Sequence, residues 1–199
     1  FGLNRAAWLR LGCKSWLNET NLYYHSGIKL RVGVFADDTL TGFSREHRAQ
    51  YLAMKKEYGK IIKIGSSDTI APALKFTGVQ IARDRNAHTI TIHQHRYLDQ
   101  MEAALKEEGI ELKSYDTPHG NSKEDRLAFD KLLENTDSPP ISKITFLKLM
   151  GKLVWPSSMT RPDISMQTST LCSCVSNPRQ VHYEAAKVIA GYLCHNKSL

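Results

Sequence analysis

The spacing of apolar residues changes along this chain of 199 residues, and the change limits the fold more than any other feature. In residues 28–35, apolar side chains fill every second position, which is typical of a strand with one buried face. From residue 94 onward they recur every three or four positions, which is typical of helices that pack through one face. Strands followed by helices predict an α+β fold, with a first part of about 95 residues and a helical second part.

Turn residues and caps predict the limits of the elements. Ser44 is a candidate N-cap for a helix that Gly59 ends, and Pro156 is expected to end a later helix. Pro162 lies in the first turn of another helix. The predicted strands are 28–35, 60–64, 74–82 and 88–93, and the predicted helices are 5–17, 45–58, 94–109, 127–133, 142–154, 161–175 and 180–194.

Two adjacent carboxylates, Asp37 and Asp38, follow the alternating strand, and a short apolar return from Leu40 to Phe43 completes a hairpin. Adjacent carboxylates at the tip of an apolar hairpin repel each other unless a positive charge lies nearby. Mg²⁺ is a natural partner because it prefers hard oxygen ligands and keeps waters and substrate phosphates in its coordination shell. Aspartate is also a common turn residue, so for the pair by itself an ordinary turn is the favoured interpretation.

The charge distribution is uneven. Lysine and arginine outnumber aspartate and glutamate by 27 to 20, a net charge of +7. Basic residues dominate both ends of the chain and acidic residues dominate 98–139. Basic surfaces attract phosphate backbones by releasing counterions, although they also serve simply to keep a surface soluble. Because no apolar run approaches the length of about 18–20 residues that spans a bilayer, no membrane partner is expected.

The cysteines do not have the C-x-x-C spacing of a metal site. They are Cys13, Cys172, Cys174 and Cys194. Buried free thiols in a reducing intracellular compartment (organelle, cytoplasm or nucleus) are the favoured interpretation. A zinc site that uses Cys194 and His195 is the alternative.

A series of short motifs, in a fixed order, resembles the copia-type retrotransposon reverse transcriptase. Phe35-Ala36-Asp37-Asp38 resembles that family's aromatic-x-Asp-Asp box, and Phe1-Gly2-Leu3 resembles the motif before it. Later landmarks carry the same resemblance nearly to the end of the chain. They are Leu74–Ile81 with Arg83-Asp84, Thr89–Gln94, Tyr97-Leu98, Thr117-Pro118, Gly151–Leu153, Thr160–Ile164, Ser176–Pro178, and His182 through Ala185–Lys187 to Tyr192-Leu193.

The resemblance implies a partial polymerase palm, an antiparallel sheet with helices, followed by a helical thumb and connection region. The implied boundaries are a palm over 1–93, a thumb-like helix and linker over 94–141, and a connection-like region over 142–199. It implies that Asp37 and Asp38 are catalytic metal ligands, with Mg²⁺ as the cofactor of an active enzyme, and that Phe35 packs under the primer terminus.

Several positions depart from the family pattern. The family carries Gln where Arg5 stands, and Tyr where Phe35 stands. The family's Pro-Arg-x-Trp is replaced by Ala7-Trp8-Leu9-Arg10. The family's palm also needs a further carboxylate, on a strand that precedes Phe1. We therefore expect Asp37 and Asp38 to be vestigial, because two carboxylates alone leave two metal ions short of ligands.

Three functions remain open at this stage. The first is a catalytically incomplete relic, reused as an RNA-binding or scaffolding subunit of a ribonucleoprotein such as an organellar ribosome. The second is part of an active RNA-directed DNA polymerase, and the third is a remnant that binds only protein. The expected partners are RNA or an RNA/DNA duplex and the other proteins of a large complex.

Candidate nucleic-acid contacts come from cationic residues near the hairpin and the helix after it. They are Arg5, Lys29, Arg31, Lys55, Lys56, Lys60 and Lys63. For any one lysine near the end of this helix, a solvated position that complements the helix dipole is the simpler interpretation. Tyr23, Tyr24 and Tyr58 are candidates for stacking on bases, although half-buried packing is favoured for them.

Overall fold

The computed structural model describes residues 2–67, 73–132 and 137–198. Within them the chain forms two compact units, 1–91 and 92–199. The first unit carries α1 (Gly2–Arg10), β1 (Lys14–Ser15), β2 (Leu22–His25), β3 (Leu30–Phe35), β4 (Asp38–Gly42), α2 (Arg48–Ile61), β5 (Ala73–Phe76) and β6 (Val79–Asp84). β7 (Thr89–His93) crosses the boundary, and the second unit carries α3 (His95–Glu107), α4 (Lys123–Asp130), α5 (Lys143–Met159), α6 (Ser165–Ser173) and α7 (Gln180–His195).

Two small antiparallel sheets account for the strands. The first has the order β1-β2-β3-β4 and the second the order β5-β6-β7. The α+β prediction is confirmed. Naming the parts as palm, thumb and connection stays a prediction, and residues 94–141 and 142–199 lie in the same compact unit.

The core of the first unit lies on one face of the four-stranded sheet. The alternating strand prediction is confirmed, because Leu30, Val32 and Val34 of β3 are buried. Helices α1 and α2 cover this face, where Trp8 stacks on Tyr58 with ring centroids 4.4 Å apart. Burial of these side chains on a single face is what holds the register of the sheet.

Two predicted helix limits in the first unit are wrong, and a glycine is involved in each case. The predicted helix over 5–17 ends at Arg10, because Gly12 adopts a φ of +82° and the chain then turns into β1. Gly59 does not end α2, which continues to Ile61 with its buried residue Tyr58 packed in the core. The predicted strand over 60–64 is therefore wrong, since its first two residues are helical.

The predicted strand over 74–82 is instead the hairpin of β5 and β6. Its two-residue turn is Thr77-Gly78, with φ values of +51° and +81°. Two positive φ angles match the right-handed twist of the flanking strands, which is why such turns join hairpins. The predicted strand over 88–93 is present as β7.

The second unit is a helical assembly around one core, to which α3, α5, α6 and α7 all contribute. Phe146, Leu153 and Ile189 are among its fully buried side chains. Helix α4 begins at Lys123 rather than near 127, because Ser122 and Asp125 form a reciprocal capping box. Among the described residues, no helix is both long and apolar enough to cross a membrane.

Pro156 lies inside α5 and does not end it. A proline removes the N–H that would bond to the carbonyl four residues earlier, here that of Lys152. The hydroxyl of Tyr97 donates to this carbonyl oxygen at 2.8 Å and replaces the missing bond. The helix therefore continues to Met159, and the prediction that it ends near 154 is wrong for this physical reason.

Candidate nucleic-acid interface

The carboxylate pair lies at the end of the β3–β4 hairpin. Phe35 pairs with Asp38, so the turn consists of Ala36 and Asp37. Ala36 adopts a φ of +52°, a left-handed conformation that costs a residue with a Cβ of order 1–3 kcal/mol. Both Asp37 and Asp38 are exposed to solvent.

The residues present do not by themselves fit a two-metal centre. Over 2–67, 73–132 and 137–198, no three histidine, cysteine, aspartate or glutamate side chains lie together as a metal site requires. Asp37 and Asp38 offer two carboxylates in a solvated turn, whereas a pair of bridging ions needs more fixed ligands to set its geometry.

The candidate cations of the first unit lie on more than one surface. Arg31 belongs to β3, on the face opposite its buried residues. Lys56 and Lys60 lie on the exposed side of α2, whose other side packs on the buried face of the sheet. The sheet and its core therefore separate Arg31 from these two lysines, so one flat ligand cannot touch all three.

Several of these cations already have partners. The Nζ atom of Lys29 lies 2.9 Å from Glu46, and that of Lys60 lies 2.7 Å from Glu57. Lys55 hydrogen bonds to Ser67. Arg5, Lys56 and Lys63 are exposed and form no salt bridge with a residue that the structure describes.

In the described structure, the second face of the four-stranded sheet exposes Trp16, Leu22 and Phe35, and we call it the open sheet face. Directly paired residues share a face, so the register with β3 assigns its members. They are Lys14, Trp16, Leu22, Tyr24, Arg31, Gly33, Phe35, Asp38, Leu40 and Gly42. Trp16 extends the β1–β2 pairing, since its backbone N–H donates to the carbonyl of Leu22 at 2.9 Å.

The tyrosine predictions divide between the two faces. Tyr23 and Tyr58 are buried, as the packing interpretation expects. Tyr24 is half-buried on the open sheet face, next to Trp16. Sequence reasoning missed Trp16 by placing it in the helix over 5–17. The available signal was Gly12, which ends α1 before Trp16 is reached.

The structure shows the surroundings of the four cysteines and of Asp163. Cys13 and Cys174 are buried, and burial raises the pKa of Cys13 to about 11. Cys172 is exposed, contrary to the prediction of uniformly buried thiols. Cys194 and His195 belong to no group of three metal-binding side chains in the described parts of the chain. Asp163 accepts two hydrogen bonds from Arg161, as a structural residue would.

We expect two partly buried histidines to make the stability of the fold depend on pH. Burial, together with the nearby His95, lowers the pKa of His93, and burial with Arg126 lowers that of His119 against the opposing effect of Asp130. A lowered pKa in the folded state means that the unfolded chain binds more protons below its own pKa of about 6.5.

We therefore expect the free energy of unfolding to fall as the pH is lowered from about 7.5 through 6.5 to 5.5. Urea unfolding at these three values measures the change. The double substitution His93→Asn and His119→Asn is expected to flatten this dependence. An unchanged slope in the double variant would contradict the assignment to these two side chains.

The chain is similar in sequence to two retrotransposon proteins. It is 29% identical over 184 residues to the putative transposon Ty5-1 protein YCL074W of Saccharomyces cerevisiae, a match that covers 91% of this chain and 54% of that protein. It is 24% identical over 136 residues to the retrovirus-related Pol polyprotein from transposon TNT 1-94 of Nicotiana tabacum, covering 68% of this chain and 10% of that protein. This chain thus spans about half the length of the first relative and a tenth of the second. No family model and no solved structure matches it.

Proposed function

We propose that the chain is a copia-type reverse-transcriptase fragment that binds nucleic acid but does not extend a primer by itself. One observation carries the proposal: the Asp37-Asp38 pair stands in an exposed turn, and no group of three metal-binding side chains occurs in the described parts. The retrotransposon relatives and the order of the sequence motifs support the ancestry. The net charge of +7 supports a polyanionic partner.

The role of the chain follows from what it retains. Solvent-exposed cations such as Arg5 and Lys56 can hold phosphates without regard to base sequence. Because these cations are exposed and the described residues contain no group of three metal-binding side chains, we propose a role as an RNA-binding or scaffolding subunit of a ribonucleoprotein. An organellar ribosome is one assembly in which such a subunit would serve.

The second candidate function is that the chain forms part of an active polymerase. The geometry of the Ala36-Asp37 turn favours it. The left-handed Ala36 presents both carboxylates to solvent, and β4 is the outermost strand of its sheet in the described structure. An outermost strand has unpaired backbone groups that can accept a further strand. A strand from elsewhere in the protein that bears a carboxylate would then complete a site for Mg²⁺.

Substituting Asp37 with asparagine separates these possibilities. We expect Asp37→Asn to bind a 20-nucleotide RNA within about twofold of the unchanged chain, because phosphate contacts come from cations. Fluorescence anisotropy at several salt concentrations measures this affinity, which should fall steeply with salt. A primer-extension assay with Mg²⁺ and nucleotides is expected to show no product for either chain.

Two other results would support the alternative functions, an active polymerase or a remnant that binds only protein. Primer extension by the unchanged chain that Asp37→Asn abolishes would identify a working polymerase site. Failure of the unchanged chain to bind RNA or an RNA/DNA duplex at low salt would favour the remnant that binds only protein. Replacing Lys56 with glutamine serves as a control, because the loss of a phosphate contact should weaken single-stranded and duplex binding alike.

A further inference from the structure

We propose that the outward side of α5 binds an amphipathic helix of another protein, one whose apolar seam is flanked by aspartate or glutamate side chains. The surface belongs to the second unit, and its use does not depend on whether the chain binds RNA. We call this surface the α5 stripe. Its members are Ile144, Leu147, Gly151, Val154 and Ser158.

Helix α5 carries apolar residues on two sides, and the core of the second unit uses only one of them. Phe146 and Leu153 are buried in that core. On the α5 stripe, Ile144 is 69% exposed, Leu147 is 43% exposed and Val154 is 40% exposed. One exposed apolar residue is ordinary, but a contiguous group of them marks an interaction surface.

The spacing of the α5 stripe fits a helix as the partner. Its members follow one another at intervals of three, four, three and four residues. This pattern repeats every seven residues, which is the repeat that brings two helices together along a narrow seam. An extended peptide repeats its side chains every second residue and cannot follow such a seam.

Two small residues of the stripe permit close packing of a second helix. An added Cβ at Gly151 would have no neighbour within 4 Å, so the backbone at the centre of the stripe is open to approach. The hydroxyl of Ser158 donates to the carbonyl oxygen of Val154 at 2.8 Å. Because this donor already has an acceptor, an apolar partner can cover it without leaving it unpaired.

The charges beside the stripe indicate an acidic partner. With about 3.6 residues per turn, Lys143 and Lys148 lie on opposite sides of the stripe. Both lysines are exposed, and neither forms a salt bridge with a residue in the described ranges. Helix α5 contains no aspartate or glutamate. Charges that flank a helical seam select a partner by pairing with opposite charges on it.

A second copy of this chain fits the α5 stripe less well than an acidic helix does. It would bring the same two lysines and no carboxylate from its own α5 to pair with them. Like charges across an interface oppose association. An acidic amphipathic helix covers the apolar seam and pairs with both lysines, so the charges favour it as the occupant.

The test measures the binding of a synthetic three-heptad peptide to the whole chain. The peptide carries leucine at its seam positions and glutamate at the flanking positions, where the like charges also keep it from pairing with itself. A control peptide has lysine in place of each glutamate. We expect the glutamate peptide to bind at least about tenfold more tightly in fluorescence anisotropy, with a difference that shrinks as salt is added.

Substitutions on the second unit locate the binding. Leu147→Gln is expected to weaken binding of the glutamate peptide by about tenfold or more, because an apolar contact is lost. The matched control is Leu127→Gln, at a leucine of α4 that is 59% exposed, and it should change the affinity by less than about twofold. Lys148→Glu should lower the preference for the glutamate peptide over the lysine peptide by about threefold or more. Circular dichroism checks that each variant remains folded.

Three results would contradict the inference. The first is equal binding of the two peptides, or binding of neither. The second is binding of the glutamate peptide that Leu147→Gln and Lys148→Glu both leave unchanged. The third is self-association of the unchanged chain that Leu147→Gln abolishes, which would identify a second copy as the occupant. The affinity for RNA is a separate measurement, so the proposed function can fail or stand independently of this surface.

Discussion

Replacing Gly191 with alanine is expected to destabilise the folded chain by about 3 kcal/mol or more. Gly191 lies in the interior of α7 and is buried. A Cβ added there would lie 2.2 Å from the carbonyl oxygen of Lys113 and 3.0 Å from the ring of Tyr115. The nearer atom belongs to the backbone and cannot rotate away, so the segment that contains Lys113 must separate from α7.

The matched control is Gly151→Ala in α5, where an added Cβ has no neighbour within 4 Å. Alanine loses less backbone entropy than glycine in a helix, so this variant should gain about 0.5–1 kcal/mol. Urea unfolding of the whole chain, followed by circular dichroism, measures both changes. Equal effects of the two substitutions would mean that helix propensity alone governs them and that the close approach at Gly191 does not exist.

Replacing Arg161 with methionine is expected to cost about 1–3 kcal/mol, because it removes a buried hydrogen-bond donor from partners that are left without it. Arg161 is only 3% exposed. Its Nε and Nη2 atoms donate to the carboxylate of Asp163 at 3.0 and 2.7 Å, and its Nη1 atom donates to the carbonyl of Asn196 at 2.8 Å. Methionine preserves much of the aliphatic volume but supplies none of these donors.

The contacts of Arg161 also lower the pKa of Asp163. Burial alone would raise it, but the hydrogen bonds from Arg161 and Tyr192 and the charge of Arg161 outweigh burial and lower it. We expect Lys187→Met, which removes a partly exposed partner of the exposed Glu184, to change stability by less than about 1 kcal/mol. A loss of the same small size for Arg161→Met would show that this pair is solvated in solution.

The landmarks of the second unit thus act as internal anchors. Gln94 is 2% exposed and accepts a hydrogen bond from Thr160 at 2.8 Å, which joins the start of α3 to the end of α5. His182 is buried and lies 3.1 Å from the carbonyl of Leu132. These contacts give Gln94 and His182 a structural role that does not depend on the Asp37-Asp38 pair. They maintain packing, which is a separate requirement from chemistry.

Local sequence patterns were sufficient to predict the structure wherever residues close in sequence determine it. The alternation over 28–35 predicted which residues of β3 are buried, because a strand directs successive side chains to opposite faces. The helix over 180–194 and the turn after α3 at Gly109 follow equally from helical spacing and glycine. The exposed position of the Asp37-Asp38 pair is also consistent with its place at a hairpin tip.

Contacts between residues distant in sequence determined the features that sequence patterns did not predict. Pro156 remains inside α5 because Tyr97, 55 positions before Lys152, replaces the missing hydrogen bond. Trp16 stands on the open sheet face because Gly12 ends α1 and the register of β1 with β2 directs it outward. The candidate cations are divided between two surfaces because α2 packs on the opposite face of the sheet. Sequence alone determines which groups can donate, stack or carry charge, whereas their placement on one face depends on pairings that only the folded chain forms.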